Sequence, residues 1–422
     1  MNSAPELFLG KGLGPAFAKE HTAKEIIGTS LFAENREFPQ LSLNDSALTQ
    51  NIAAMAEYTK ARGVHLAPHG KTAMSVELAE RQLKAGAWAI TAATPTQLRV
   101  YRHFGISRLY LANQLVEPSA IAWLRNELAA DPAFECFITV DSAAGLQLLA
   151  DTSAESETRR PIDVMLELGH VGGRTGTRSA EELIELARTA KITPGVRVAG
   201  VTNYEGTLGG ATPVVAAERV YDFACTMASM VAQLENEHLV AADCWVSIGG
   251  SAYFDEAFRG LTEAGNVLPN RIVLRSGAYL TYDNGLYART GPAAREISNS
   301  PKFASAIRVW APVLSMPEPG LALLLCGRRD VGFDADLPAV LGVRARNGDN
   351  ARAFSGTITQ LADQHAFVSF DPTKYDAQAL PRVGELVELG VSHPCTTLDR
   401  WGLVPVVDDQ FQVCELTQLH FV

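Results

Sequence analysis

Residues 64–93 read VHLAPHGKTAMSVELAERQLKAGAWAITAA, and the fold is decided there. The first five residues are largely apolar and β-prone. Gly70-Lys71-Thr72 then interrupts them, a helical pattern opens at Ser75 and closes near Gly86, and a second apolar run follows at 89–93. Strand, loop, helix and strand at this spacing form one β/α unit of a parallel sheet. The pattern continues outward from there. Strand-like runs stand at 64–68, 89–93, 108–112, 134–140, 162–168, 196–204, 244–248 and 272–275, with helical stretches such as 46–61, 75–86, 95–104, 180–190 and 214–235 among them. Eight repeats predict a closed (β/α)8 TIM barrel over 45–300 in preference to an open doubly wound sheet.

Beyond residue 300 the texture changes. Pro301, Pro312, Pro317, Pro319, Pro338 and Pro381 punctuate short runs at 307–313, 321–325, 353–361, 366–370, 385–390 and 411–416. They predict a second, mostly β domain over 301–422. Residues 1–44 lack helical periodicity, and their short apolar pieces at 31–32 and 41–43 are expected to join that β domain.

Composition bounds the function. A chain of 422 residues with 47% hydrophobic and 20% charged residues is neither disordered nor fibrous. The formal net charge of −11 has the wrong sign for a nucleic-acid partner, and with no run of five like charges it describes a solvated surface. No apolar run approaches the roughly 18 residues of a membrane span. The opening MNSAPELFLGKGLG lacks the basic-then-apolar order of a signal peptide, so a cytoplasmic location and no membrane partner are expected. Six cysteines without a C-x-x-C pair fit a reducing compartment, most of them as small core residues.

Reactive groups of such a barrel gather where its strands end, so the polar residues after each apolar run are the candidates. The first run delivers Lys71. Most loop lysines are merely solvated, but one at a desolvated strand mouth can lose its proton and form a Schiff base. The seventh and eighth runs end in Gly249-Gly250-Ser251 and Arg275-Ser276-Gly277-Ala278-Tyr279, where small residues let backbone N–H groups approach an anion. Gly-Gly-Ser alone is a common turn; its coincidence with the phosphate-binding end of a barrel gives it weight. A lysine facing a phosphate cradle fits pyridoxal phosphate. The fifth run leads through Gly169, Gly172 and Gly173 to Arg174, either an anion contact at the mouth or a surface arginine. The sixth ends at Tyr204, which either contacts a cofactor or packs.

In the late segment Ser392-His393-Pro394-Cys395, residues i and i+2 of an extended chain point to one side. His393 and Cys395 can thus hold one metal ion. Imidazole with thiolate suits zinc, although another divalent metal is open, and two protein ligands leave positions for water or substrate. The pair is equally readable as core residues. Asp399 lies nearby and either supports a ligand from behind or makes a surface salt bridge.

At these residues the sequence resembles the D-serine dehydratase and D-threonine aldolase family, the fold type III pyridoxal phosphate enzymes related to alanine racemase. The resemblance covers nearly the whole chain. It rests on Pro68-His69-Gly70-Lys71-Thr72, the approach to Arg174, Tyr204-Glu205-Gly206, Gly249-Gly250-Ser251, Gly277-Ala278-Tyr279 and His393-Pro394-Cys395. It implies that Lys71 is the Schiff-base lysine, that Arg174 contacts the cofactor's phenolic oxygen or the substrate, and that Tyr204 contacts the cofactor ring. It further implies that Gly249, Gly250, Ser251, Gly277 and Tyr279 serve the cofactor at its phosphate end, that His393 and Cys395 hold the metal, and that the protein is a homodimer. Ala67 stands where many relatives have Arg, Ala73-Met74 where they have His-Lys, and Thr207 where they often have His, which leaves the substrate open. The implied activity is that of a lyase converting a D-3-hydroxy amino acid such as D-serine to a 2-oxo acid and ammonia. Aldol cleavage of a D-3-hydroxy amino acid, a racemase, and a non-catalytic pyridoxal phosphate carrier are the alternatives.

Overall fold

The structure is a computed structural model that describes residues 11, 26–150, 160–263, 267–376 and 378–421. The amino-terminal stretch read above for a targeting signal lies largely outside them.

Strand β1 (Gln40–Asn44) leads into helix α1 (Asp45–Arg62). The Asn44 side chain accepts from Ala47 N at the helix start, and Gly63 at φ 66° ends it. Eight parallel strands follow: β2 (His65–Leu66), β3 (Ile90–Ala92), β4 (Arg108–Leu111), β5 (Glu135–Val140), β6 (Ile162–Leu168), β7 (Val196–Asn203), β8 (Trp245–Ile248) and β9 (Ile272–Leu274). They pair in the order β2-β9-β8-β7-β6-β5-β4-β3. The two ends meet through Trp88 N to Leu66 O at 2.7 Å, Thr91 N to Pro68 O at 2.9 Å and a parallel bridge between His69 and Thr91, so the barrel closes. Ser75, Thr94, Ser142, Ser179 and Thr212 each cap the helix after them with a side-chain oxygen.

Alternation along the strands fills the lumen in layers. Tyr110, Phe137 and Met165 pack with Trp88 and Trp245 in one layer. Two residues further along their strands, Thr139, Glu167 and Ser247 make the next layer polar, and Arg275 and Thr202 join it. The aromatic layer is thus the base on which a polar site stands.

The second domain is a sheet ordered β11-β14-β13-β12-β15-β10-β1-β16-β17. Its strands are β10 (Ile307–Glu318), β11 (Leu321–Leu325), β12 (Ala339–Arg344), β13 (Thr357–Leu361), β14 (His365–Ser369), β15 (Leu386–Gly390), β16 (Leu403–Val407) and β17 (Val413–Gln418). β1 runs antiparallel to β10 and parallel to β16, and Ser30 bridges Gln412, so the chain before the barrel is woven into this sheet. Strands β12 and β16 were not anticipated. Gly342 sits in one and Pro405 in the other, and both residues read locally as breaks. The run at 353–361 becomes strand only from Thr357. Among the described residues no helix is long and apolar enough to cross a membrane. All six cysteines are free, with Cys136, Cys244 and Cys326 buried.

Candidate active site

Lys71 lies in a single 3-10 turn, Gly70–Thr72, directly beyond β2. A side chain at Gly70 would overlap the Tyr101 ring, so glycine lets the turn lie close against the helix that carries Tyr101. Lys71 itself is exposed at the mouth.

Beside the Lys71 turn, at the ends of the next two strands of the barrel, the loops after β8 and β9 are cross-linked. Ser251 Oγ accepts from Gly277 N and Ala278 N, both at 3.1 Å, and Ser276 Oγ donates to Gly250 O at 2.5 Å. The glycines here answer mainly to the protein itself. A Cβ on Gly249 would overlap the Arg275 guanidinium, one on Gly250 would overlap the Glu205 carboxyl, and one on Gly277 would overlap the His69 backbone. Tyr279 is 2% exposed, its ring neighbours Phe303, and its hydroxyl accepts from Gln82 Nε2 at 2.7 Å. Accepting from Gln82 leaves the hydroxyl its own proton to donate, so the phosphate contact that the resemblance implies stays an expectation.

Arg174 reaches over the Tyr204 ring, its guanidinium carbon 4.4 Å from the centroid. The loop carrying it is clamped by a neighbour. Arg178 donates to Thr175 O at 2.7 Å, Gly176 O at 3.0 Å, and Gly173 O and Arg174 O at 3.2 Å. His170 Nε2 pairs with Thr207 Oγ1 at 2.8 Å, tying this loop to the one after β7.

Beneath these loops lie groups to which the sequence reading gave no role. Arg275, 3% exposed, donates to Thr202 Oγ1 at 2.8 Å, to Asn203 O at 2.8 Å and to Ser247 Oγ, and stands over the Tyr110 ring. Glu205 is 1% exposed, and burial pushes its carboxyl up to about 7. His69 is held well below its usual value by burial first and then by Arg275, Lys71 and Arg174, which keeps the imidazole neutral. All three were findable by place: His69 and Glu205 each stand one residue past an apolar run, at 64–68 and 196–204, and Arg275 closes the run at 272–275.

His393 and Cys395 come together by a different route from the one expected. Pro394 is in the helical region at φ −58°, ψ −41°, and Cys395 opens the short helix Cys395–Leu398, so a turn rather than strand alternation makes the pair. The thiol donates to Thr72 Oγ1 at 3.4 Å, which seats the pair one residue from Lys71. His393 is raised, chiefly by its hydrogen bond with Cys395 and further by Asp334. Burial raises the Cys395 thiol, but His393, Lys71 and Thr72 outweigh it and leave it below the ordinary value. Asp399 pairs with Arg400 at 2.6 Å; the carboxylate behind His393 is Asp334, at 2.6 Å from Nδ1. Among the described residues no three His, Cys, Asp or Glu groups converge on one point, so His393 and Cys395 would supply an ion as a pair.

The mouth fits pyridoxal phosphate by an independent test. His69 Nδ1, Asn203 Oδ1 and Nδ2, Glu205 Oε2 and Arg275 Nε are buried polar atoms with no hydrogen-bond partner. Buried polar groups are normally paired, and four residues at the ends of β2, β7 and β9 that are not paired describe the outline of a polar ligand.

The comparisons with known proteins agree. Residues 43–263 match the alanine racemase N-terminal domain, and residues 306–407 match the putative serine dehydratase domain. The chain is 29% identical to a D-threonine aldolase of Arthrobacter sp over 374 residues, 88% of this chain and 89% of that one. It is 28% identical to a D-threo-3-hydroxyaspartate dehydratase of Delftia sp. (strain HT23) over 174 residues, 40% of this chain and 43% of that one. The crystal structure of D-threonine aldolase from Filomicrobium marinum superposes with a TM-score of 0.76 at 25% identity, covering 93% of this chain and 97% of that chain. With the racemase domain spanning more than half its length, the protein belongs to the alanine racemase-like, fold type III family of pyridoxal phosphate proteins, in the branch that carries a serine dehydratase domain behind the barrel.

Proposed function

We propose that the protein is a pyridoxal phosphate-dependent lyase of D-3-hydroxy amino acids, and that it acts as a dehydratase of the D-serine deaminase type, giving a 2-oxo acid and ammonia. The observation that carries this reading is the 3.4 Å contact between Cys395 Sγ and Thr72 Oγ1, which brings a metal-competent pair to the lysine's turn. Pyridoxal phosphate, when bound, supplies the electron sink for negative charge at Cα. Lys71 would hold it and then take the Cα proton. Arg174 and Arg275 supply positive charge at the rim and floor of the mouth, and neutral His69 adds none of its own. His393 and Cys395 would hold zinc, whose chemistry there is to polarise the 3-hydroxyl. In the overall reaction the Cα–H and Cβ–O bonds break, the hydroxyl leaves as water, and hydrolysis of the released enamine yields 2-oxo acid and ammonia.

A second reading is aldol cleavage, favoured by the similarity to a D-threonine aldolase over 88% of the chain. The products from D-threonine separate the two. 2-Oxobutyrate with ammonia supports the dehydratase, and glycine with acetaldehyde replaces it by the aldolase. No turnover of any D-3-hydroxy amino acid by the holoprotein would leave a racemase of other amino acids or a non-catalytic carrier. The same family reading expects a cytoplasmic homodimer, the dimer to be tested by light scattering on the holoprotein.

A further inference from the structure

The loop between β11 and β12 does more than connect two strands. Its residues 331–336 are stitched to 392–397 by bonds on both sides of the metal pair. Ser392 Oγ accepts from Asp336 N at 3.1 Å and donates to Asp336 O at 2.6 Å, while Gly332 N donates to Thr397 Oγ1 at 2.9 Å. Gly332 lies so close to Thr396 Oγ1 that a side chain there would overlap it. Between these two fastenings stands Asp334. One of its oxygens receives His393 Nδ1 at 2.6 Å and the other receives Thr396 Oγ1 at 2.6 Å. Both oxygens are therefore committed, and the carboxylate is fixed in place although it lies at the surface.

We propose that Asp334 is a positioning residue for the metal centre: its carboxylate holds His393 with Nδ1 as the protonated nitrogen, leaving Nε2 as the ligating atom. A ligating imidazole is held in one tautomer and one orientation by the partner of its other nitrogen, and a carboxylate there also makes the ring a stronger donor. Thr396 completes the arrangement by stopping the carboxylate from rotating away. An ordinary surface ion pair would have one oxygen free and would contribute little. The proposal rests on the reading of His393 and Cys395 as metal ligands, and the experiment separates the two.

Zinc affinity of the purified holoprotein is measured by competition with a chromophoric chelator, alongside metal content, the cofactor's absorption and the melting temperature after zinc removal. Wild type, Asp334→Asn, Thr396→Val and Cys395→Ala are compared. Asp334→Asn should bind zinc about 10- to 100-fold more weakly, with cofactor absorption and zinc-free melting temperature unchanged. Thr396→Val should weaken binding in the same direction by a smaller factor. Unchanged zinc affinity in Asp334→Asn, in a protein whose wild type binds zinc and whose Cys395→Ala form does not, overturns the role of Asp334 and leaves the metal reading standing. A wild type that binds no zinc, cobalt or manganese overturns both. A fall in affinity matched by a fall in the zinc-free melting temperature identifies Asp334 as a fold residue and overturns the proposal as well.

Discussion

Cys395 Sγ lies 3.4 Å from Thr72 Oγ1, across 323 residues of chain, and this one contact joins the β domain to the lysine turn of the barrel. The barrel alone presents Lys71 and the glycine loops. The β domain alone presents His393 and Cys395. Only together do they bring Lys71, His393 and Cys395 to one mouth.

Covalent attachment at Lys71 is the first expected outcome. Borohydride reduction of the holoprotein followed by peptide mapping should place the pyridoxyl group on the peptide containing Lys71. Lys71→Ala should fold but lose the cofactor's lysine-linked absorption. Label on a different lysine would remove Lys71 from its role.

Metal removal should act on turnover without releasing the cofactor. Chelation is expected to stop 2-oxo acid formation from D-serine and added zinc to restore it, with the cofactor spectrum intact throughout. Retained activity in rigorously metal-free protein would separate His393 and Cys395 from the chemistry.

Gly250→Val should reduce cofactor affinity by more than about tenfold, since a side chain there collides with Glu205 and forces the loop outward. If the collision is the cause, Glu205→Ala should recover part of the loss in the double variant. Equal affinity in Gly250→Val and wild type, read by absorbance titration, would show that the loop yields without disturbing the site.

Glu205 predicts a pH dependence of stability. Its carboxyl moves from an ordinary 4.5 to about 7 through burial, so the folded state binds a proton more tightly than the unfolded chain. Its favourable contribution is complete below 4.5 and is lost as pH rises through about 7. The full loss is on the order of 3 kcal/mol, at roughly 1.4 kcal/mol per pKa unit. In cofactor-free protein Glu205→Gln should flatten the melting-temperature profile between pH 5 and 8, about; a parallel profile would mean that the carboxyl ionises normally.

Arg178→Ala should release the loop that Arg178 ties through four carbonyl oxygens. Tryptic cleavage after Arg174 is expected to speed up several-fold while the melting temperature changes little, because the lost bonds lie in an exposed loop and not in the core. Cleavage at the wild-type rate would assign the loop's order to Gly169 and Thr177 alone.

Much of this protein is written locally. The strand and helix periods over 45–280, the caps such as Ser75 and Ser179, the lysine after the first strand and the small residues after the last two all depend on residues within a few positions of one another, and so they could be read from the sequence. What the tertiary structure alone decided are relations between residues far apart in the chain. Gly250 answers to Glu205, Tyr279 turns to Gln82, His393 takes Asp334 and not Asp399, and Pro405 sits within a strand because β17 supplies its neighbour. Each is settled by which elements pack together and by the direction a side chain takes from its backbone, and neither quantity is a property of any short stretch of sequence.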